Sequence, residues 1–128
     1  FGIYMLSINY RKNDRSNLDI SVNEIVTNQN NFLKVIYTRE EDDLYNFRFI
    51  PYIDGIPLNY VELEIVEWEV LYNGFSKKIL QTKVNALNNP GVRIKLRNGK
   101  TVIRVVGSYK NIDKYINLEG KVELFVNN

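Results

Sequence analysis

The stretch RIKLRNGKTVIRVV, Arg93 to Val106, spaces its cations so that they could act as a set. Arg93, Lys95 and Arg97 alternate with Ile94 and Leu96, Asn98-Gly99 follows, and Lys100 and Arg104 lie on the return. Asn-Gly is the preferred pair for a two-residue type I′ hairpin. Such a hairpin sets Ile94 opposite Ile103 and Val92 opposite Val105 on a core side. It projects all five cations from the other face. Arg97 then opposes Lys100, and Arg93 opposes Arg104. Like charges directly opposite are unfavourable in a sheet, so this face needs water, an internal acidic strand or an anionic partner. Nucleic acid is not the expected anion. The face has no aromatic side chain on which a base could stack, positions 102 and 106 being Val. A pI of about 8.8 also falls short of the usual basic footprint, above ~9.

The acids are placed as unevenly as the bases. From Glu40 to Glu69 stand Glu40, Glu41, Asp42, Asp43, Asp54, Glu62, Glu64, Glu67 and Glu69 against one base, Arg48. From Val70 to Lys110 stand Lys77, Lys78, Lys83, the five cations above and Lys110, with no acid. The net charge of +2 therefore conceals an acidic block followed by a basic one. Either the blocks are neighbouring strands with their charges cross-paired, or they are two poles of a domain that docks on copies of itself or on other subunits.

The carboxylates could also serve as ligands or catalysts. Glu40, Glu41, Asp42 and Asp43, with Asp54, could offer oxygen ligands to Ca²⁺, but their spacing matches no calcium loop and reads as an acidic turn. Paired acids for glycoside cleavage could come from Glu62, Glu64, Glu67 and Glu69. The hairpin described below matches Glu64 with Lys83 and Glu69 with Lys78, which favours structural pairing. Ser76 with Lys78 could make a nucleophile and base, but both follow directly on a turn, where solvated polar residues are expected. The chain has no His and no Cys, so imidazole base catalysis and thiolate chemistry are excluded. Gly55, Gly74, Gly91 and Gly99 each sit at a turn and form no phosphate cradle. No catalytic residue, metal or cofactor is expected. Exposed aromatics remain as a second candidate site. Tyr52, Tyr60, Trp68 and Tyr72 could stack on the apolar faces of sugars, the competing use being core packing.

The elements that must position these residues read as strands. Nine Tyr and six Phe favour sheets, and a single Ala, Ala86, lowers the prospect of helices. GIYMLSINY sets Tyr4, Leu6, Ile8 and Tyr10 on one face. The polar RKNDRSN, LDISV and the turn TNQNN follow. FLKVIYT turns Leu33, Val35 and Tyr37 to one side, and LYNFRFI does the same with Tyr45, Phe47 and Phe49. Pro51 is expected to end that strand or mark an edge, and Asp54-Gly55 to turn the chain. In VELEIVEWEVLYNGFSKKILQTKV, Asn73-Gly74 predicts a hairpin with Tyr72 facing Phe75, Val70 facing Lys77, Glu69 facing Lys78 and Trp68 facing Ile79. The apolar phase shifts between Ile65 and Val66, which calls for a bulge or a strand crossing between sheets. A helix competes there, since Val61, Ile65, Trp68 and Tyr72 are helically spaced. YKNIDKYINL could hold a helical turn with Tyr109, Ile112 and Ile116 inward, and KVELFV closes the chain with Val122, Leu124 and Val126 inward. The opening FGIYMLSINYRK places its cations after the apolar residues, the reverse of a secretory leader. No apolar run reaches the ~18 residues of a membrane helix.

These features predict a single all-β domain over residues 1–128. The expected architecture is a β-sandwich, Ig-like or jelly-roll-like, of about seven to nine short antiparallel strands. Within it, NNFLKVIYTREEDDLYNFRFIPYIDGIPLNYVELEI resembles the N-terminal β-sandwich modules of phage baseplate-upper and tail-fibre proteins. The matching residues are Phe47, Phe49, Asp54, Gly55, Pro57 and Leu58. The resemblance implies no catalytic residue. It implies an assembly part in a virion whose task is to dock to neighbouring subunits. The expected contacts are Arg93, Lys95, Arg97, Lys100 and Arg104 meeting acids such as Glu62, Glu64 and Glu67 on a neighbour, which includes the case of a homo-oligomer. The alternative is a carbohydrate- or receptor-binding module using the aromatic set.

Overall fold

The computed structural model describes residues 3–6, 19–25 and 30–127. Every regular element among them is a β-strand: β1 (Ile3–Leu6), β2 (Asp19–Ile25), β3 (Phe32–Arg39), β4 (Leu44–Ile53), β5 (Ile56–Pro57), β6 (Leu63–Tyr72), β7 (Phe75–Val84), β8 (Val92–Lys95), β9 (Gly99–Asn111) and β10 (Lys114–Val126). They form a six-stranded sheet, β1-β2-β10-β9-β6-β7, and a four-stranded sheet in which β4 pairs with β3, β5 and β8. All pairings are antiparallel. The two sheets pack as a β-sandwich. The rest of GIYMLSINY, the RKNDRSN loop and most of TNQNN lie outside the described residues.

The alternation expected of the middle strands holds. Tyr45, Phe47 and Phe49 on β4 are fully buried, as is Trp68 on β6. Trp68 meets Phe47 and Phe49 across the sandwich at ring-centroid distances of 6.4 and 6.2 Å, so the two sheets touch through aromatic rings. Val122, Leu124 and Val126 close the core from β10. Where β10 meets β3 the backbones almost touch. A Cβ built on Gly120 would lie 2.0 Å from the Leu33 carbonyl oxygen, so only glycine lets the sheets meet there. A polar clasp covers Trp68. Its Nε1 donates to Gln81 Oε1 at 2.8 Å, and Gln81 Nε2 donates to Asn89 Oδ1 at 2.8 Å.

Asn73-Gly74 makes the expected turn, with φ of 50° and 79°, and the register from Tyr72↔Phe75 to Trp68↔Ile79 follows from it. The helical reading of this stretch is thereby replaced by strand. The phase shift is real: Leu63 and Val66 are both fully buried while Ile65 is 61% exposed. No residue is inserted, however, because Leu63↔Val84 and Ile65↔Thr82 keep one register. The ladder is interrupted instead between these pairs, at Lys83, whose φ is 51°.

Three expectations need correcting. Asn98-Gly99 closes no hairpin. β8 pairs with β4 in the smaller sheet, with Tyr45↔Ile94 and Phe47↔Val92. β9 lies in the larger sheet, with Trp68↔Val105 and Val70↔Ile103. The chain crosses between sheets at this point, and the Leu96 N–H donates to the Asp43 carbonyl at 2.8 Å. Of the pair only Gly99 is left-handed, at 116°, whereas a type I′ turn needs both residues there. Pro51 ends nothing, since β4 runs on to Ile53. Its carbonyl accepts from the Leu58 N–H at 2.9 Å, and with no N–H it leaves no donor unpaired on the flank that β8 leaves after Phe47. Lastly, YKNIDKYINL holds no helical turn. It is the end of a thirteen-pair β9–β10 hairpin closed by Asn111↔Lys114. Tyr109 and Ile116 pack on the core, but Ile112 is 88% exposed at the tip, with φ of 62°. β6 accompanies β9 only from Thr101 to Gly107, so the tip extends past β6.

Candidate functional site

The crossover separates the five cations. Arg93 and Lys95 stand on β8 of the smaller sheet, Arg97 lies in the connection, and Lys100 and Arg104 stand on β9 of the larger sheet. Neither Arg97–Lys100 nor Arg93–Arg104 is a cross-strand pair, and no common cationic face forms. Three of the five are bound to acids of the same chain. Arg93 Nε lies 3.0 Å from Glu40 Oε1 and Lys100 Nζ 3.5 Å from Glu123 Oε1. Arg104 Nε donates to Glu119 Oε2 at 2.7 Å, and its Nη1 lies 3.5 Å from Glu69 Oε1. The Glu119 hydrogen bond, with Glu69 beside it, raises the guanidinium pKa above its ordinary value despite partial desolvation. Lys95 and Arg97 have no ion-pair partner among the described residues.

The acidic and basic blocks thus meet as neighbouring strands. β6 carries the glutamates between β7 and β9, which carry cations. The pairing is diagonal where it was expected to be direct. Lys78 takes Glu67 at 3.2 Å, while Glu69 accepts from the Ser76 hydroxyl at 3.1 Å and faces Arg104. No ion pair joins Glu64 to Lys83 among the described residues, where the left-handed Lys83 breaks the ladder. Exposed pairs of this kind contribute about 0.2–1 kcal/mol each. They hold register more than they supply stability.

The other candidate constellations are also placed. Ser76 donates to Glu69 and Lys78 is paired with Glu67, so neither is directed at a reacting atom. In the acidic turn, Arg39 Nε donates to the Asp42 main-chain carbonyl at 2.9 Å, and Glu40 is drawn to Arg93. No three acids converge among the described residues. The aromatic set does not assemble. Trp68 is sealed in the core, which removes it as a sugar-stacking surface. Tyr52 stacks on Phe32 at 4.7 Å in the smaller sheet. The Tyr72 hydroxyl donates to the Asn98 carbonyl at 3.0 Å, and Tyr60 stands 70% exposed on a loop.

What does assemble is the outer face of the larger sheet beside β7. The doublets Ile65-Val66, Ile79-Leu80 and Val105-Val106 each put one apolar side chain inward and the other outward. Leu80, Glu67 and Val106 lie in one row across β7, β6 and β9, with Thr82 and Ile65 in the next. Glu64, Ile65, Glu67, Val106, Gly107, Ser108 and Tyr115 line an open depression of about 400 Å³. Of these, Ile65 and Tyr115 are more than half exposed, as is Leu80. Sequence reasoning placed Val106 on an outer face and found the phase shift at Ile65-Val66, but did not single out Leu80 or this grouping. Its signal, two adjacent apolar residues in a strand whose period is two, was present. Glu64 and Glu67 belong to this surface, and Glu62 is exposed on the approach to β6. No helix among the described residues is long and apolar enough to cross a membrane. Comparison with protein-family models, with curated proteins and with solved structures finds no match to this chain.

Proposed function

We propose that this domain is a non-catalytic interaction module, a part of a virion or other surface assembly that docks on a neighbouring protein subunit. The observation that carries the reading is the outer face beside β7. Ile65, Leu80 and Tyr115 stand exposed on the sheet, with Glu67 between Leu80 and Val106 and with Lys78, Arg104 and Glu119 nearby. Exposed apolar side chains interspersed with paired charges suit a protein partner. The charges would set orientation more than affinity. The residues that carry the phage-module resemblance serve the scaffold: Phe47 and Phe49 fill the core and Asp54-Gly55 turns the chain. They support the architecture of such a module and not its contact surface. The sugar-binding alternative loses its strongest member with the burial of Trp68.

The test is site-specific photo-crosslinking in the native particle or cell surface, with the reactive group at position 65 or 115 and, as control, at position 95. Protein adducts from 65 and 115 but not from 95 are expected. Adducts from none of the three, together with glycan binding by the isolated chain, would overturn the reading.

A further inference from the structure

Resting on that reading, we propose that β7 receives the partner: an extended, acidic segment of another protein chain adds, as a further strand of the larger sheet, to the edge of β7 that pairs with no strand among the described residues. In a two-residue hairpin the pair flanking the turn is hydrogen-bonded, and the pattern then alternates. Phe75, Lys77, Ile79 and Gln81 therefore direct N–H and C=O to β6. Ser76, Lys78, Leu80 and Thr82 direct theirs away from the sheet. All four of these are exposed.

The remaining edges do not compete. β8 has four residues and β5 has two, and β1 has four among the described residues. The far side of β3 abuts β10 at Gly120. Short or covered edges are the usual protection against strand addition. β7, ten residues long, is neither short nor covered among the described residues; its protection is the charge of its lysines, which an acidic segment would neutralise.

Charge selects the partner. β7 carries Lys77, Lys78 and Lys83 and no acid. Lys78 is satisfied by Glu67, while Lys77 and Lys83 have no ion pair among the described residues. A second copy of β7 would bring three more lysines to the same edge. The chain's own Glu67 and Glu69 are unavailable to a neighbour as part of an added strand, because Val66–Tyr72 of β6 is paired on both sides. An acidic segment from a different chain resolves both problems. The left-handed backbone at Lys83 limits its length to the span from Ser76 to Thr82. An apolar residue opposite Leu80 would extend the row that Leu80 shares with Val106.

The probes are two capped eight-residue peptides, one alternating Glu with Val and Thr, the other with Lys in place of Glu. Both are added to the full 128-residue chain, and amide exchange is followed by NMR. With the Glu peptide tenfold above its Kd, exchange at Lys78, Leu80 and Thr82 should slow about tenfold. The Lys peptide should leave it unchanged. Leu80→Pro removes an N–H that makes no bond to β6, and it should abolish the protection while the chain stays folded. Should that variant unfold, the triple change Lys77→Glu, Lys78→Glu, Lys83→Glu should transfer the protection to the Lys peptide. Protection equal for both peptides, protection mapping to β5 or β8, or none at millimolar peptide would overturn the proposal. Crosslinks from positions 65 and 115 without edge protection would sink strand addition and leave face docking standing. Absence of both would sink the two together.

Discussion

Gly120→Ala is the substitution most sharply constrained by the way the sheets meet. The added methyl would lie 2.0 Å from the Leu33 carbonyl oxygen and 2.9 Å from its carbon, both main-chain atoms that no rotamer change can move. β3 must withdraw from β10 by more than 1 Å. Leu33, Val35, Leu118 and Val122 are all buried around this contact. A gap of 0.5–1 Å forfeits roughly a quarter to a half of a contact's dispersion energy. Taken as a quarter of the ~2 kcal/mol each aliphatic side chain gains by burial, the loss over four is about 2 kcal/mol. Overpacking strain adds about 1–3 kcal/mol. The expected destabilisation is therefore about 3–5 kcal/mol in urea unfolding, with a fall in Tm of about 10 °C or more. Gly107→Ala is the comparator. Its methyl would meet the Leu63 Cδ1 at 3.0 Å, the end of a side chain that can swing, and it should cost about 1 kcal/mol. A Gly120→Ala chain within 0.5 kcal/mol of the parent, or less affected than Gly107→Ala, would refute the close approach of the two sheets.

Two further outcomes follow from single residues. Ile112→Gly should stabilise by about 0.5–1 kcal/mol in calorimetry, because a left-handed β-branched residue costs about 1–2 kcal/mol and glycine's greater freedom when unfolded returns only part of that. Unchanged or lower stability would deny the turn geometry. The single tryptophan, Trp68, is fully buried. Its fluorescence should resist iodide in the folded chain, become quenchable in urea, and stay unmoved by added glycans; ready quenching of the folded chain would contradict its burial.

The strands and the core were legible in the sequence where a local feature allowed one outcome. Asn73-Gly74 determined its hairpin register because both residues can take positive φ and the arms on either side are long. The alternation of Tyr45, Phe47 and Phe49 told their inward face for the same reason, since only one phase buries them. Asn98-Gly99 looked identical and behaved otherwise. Val92 and Ile94 can be buried equally well in either sheet, and β9 is claimed on both sides by β6 and β10, which leaves β8 to pair with β4. That choice is made by partners distant in sequence, so no dipeptide announces it. The site was harder for a related reason. Adjacent apolar residues such as Ile65-Val66 read as a phase shift that a bulge or a crossing strand would repair, until the sheet shows that Ile65 faces out. The Arg104 triad joins Glu69 and Glu119 from two different strands, and only the strand order brings them together.

The β9–β10 hairpin has one more consequence. Thirteen residues per arm at ~3.3 Å each make a ribbon of about 43 Å, and β6 flanks it only as far as Gly107. Beyond it Tyr109 and Ile116 still pack on the core, and Ile112 stands out at the tip. A break or a grafted sequence at Ile112 would leave both arms stitched to each other and to the core, so the tip should accept an insertion without disturbing the fold that anchors it.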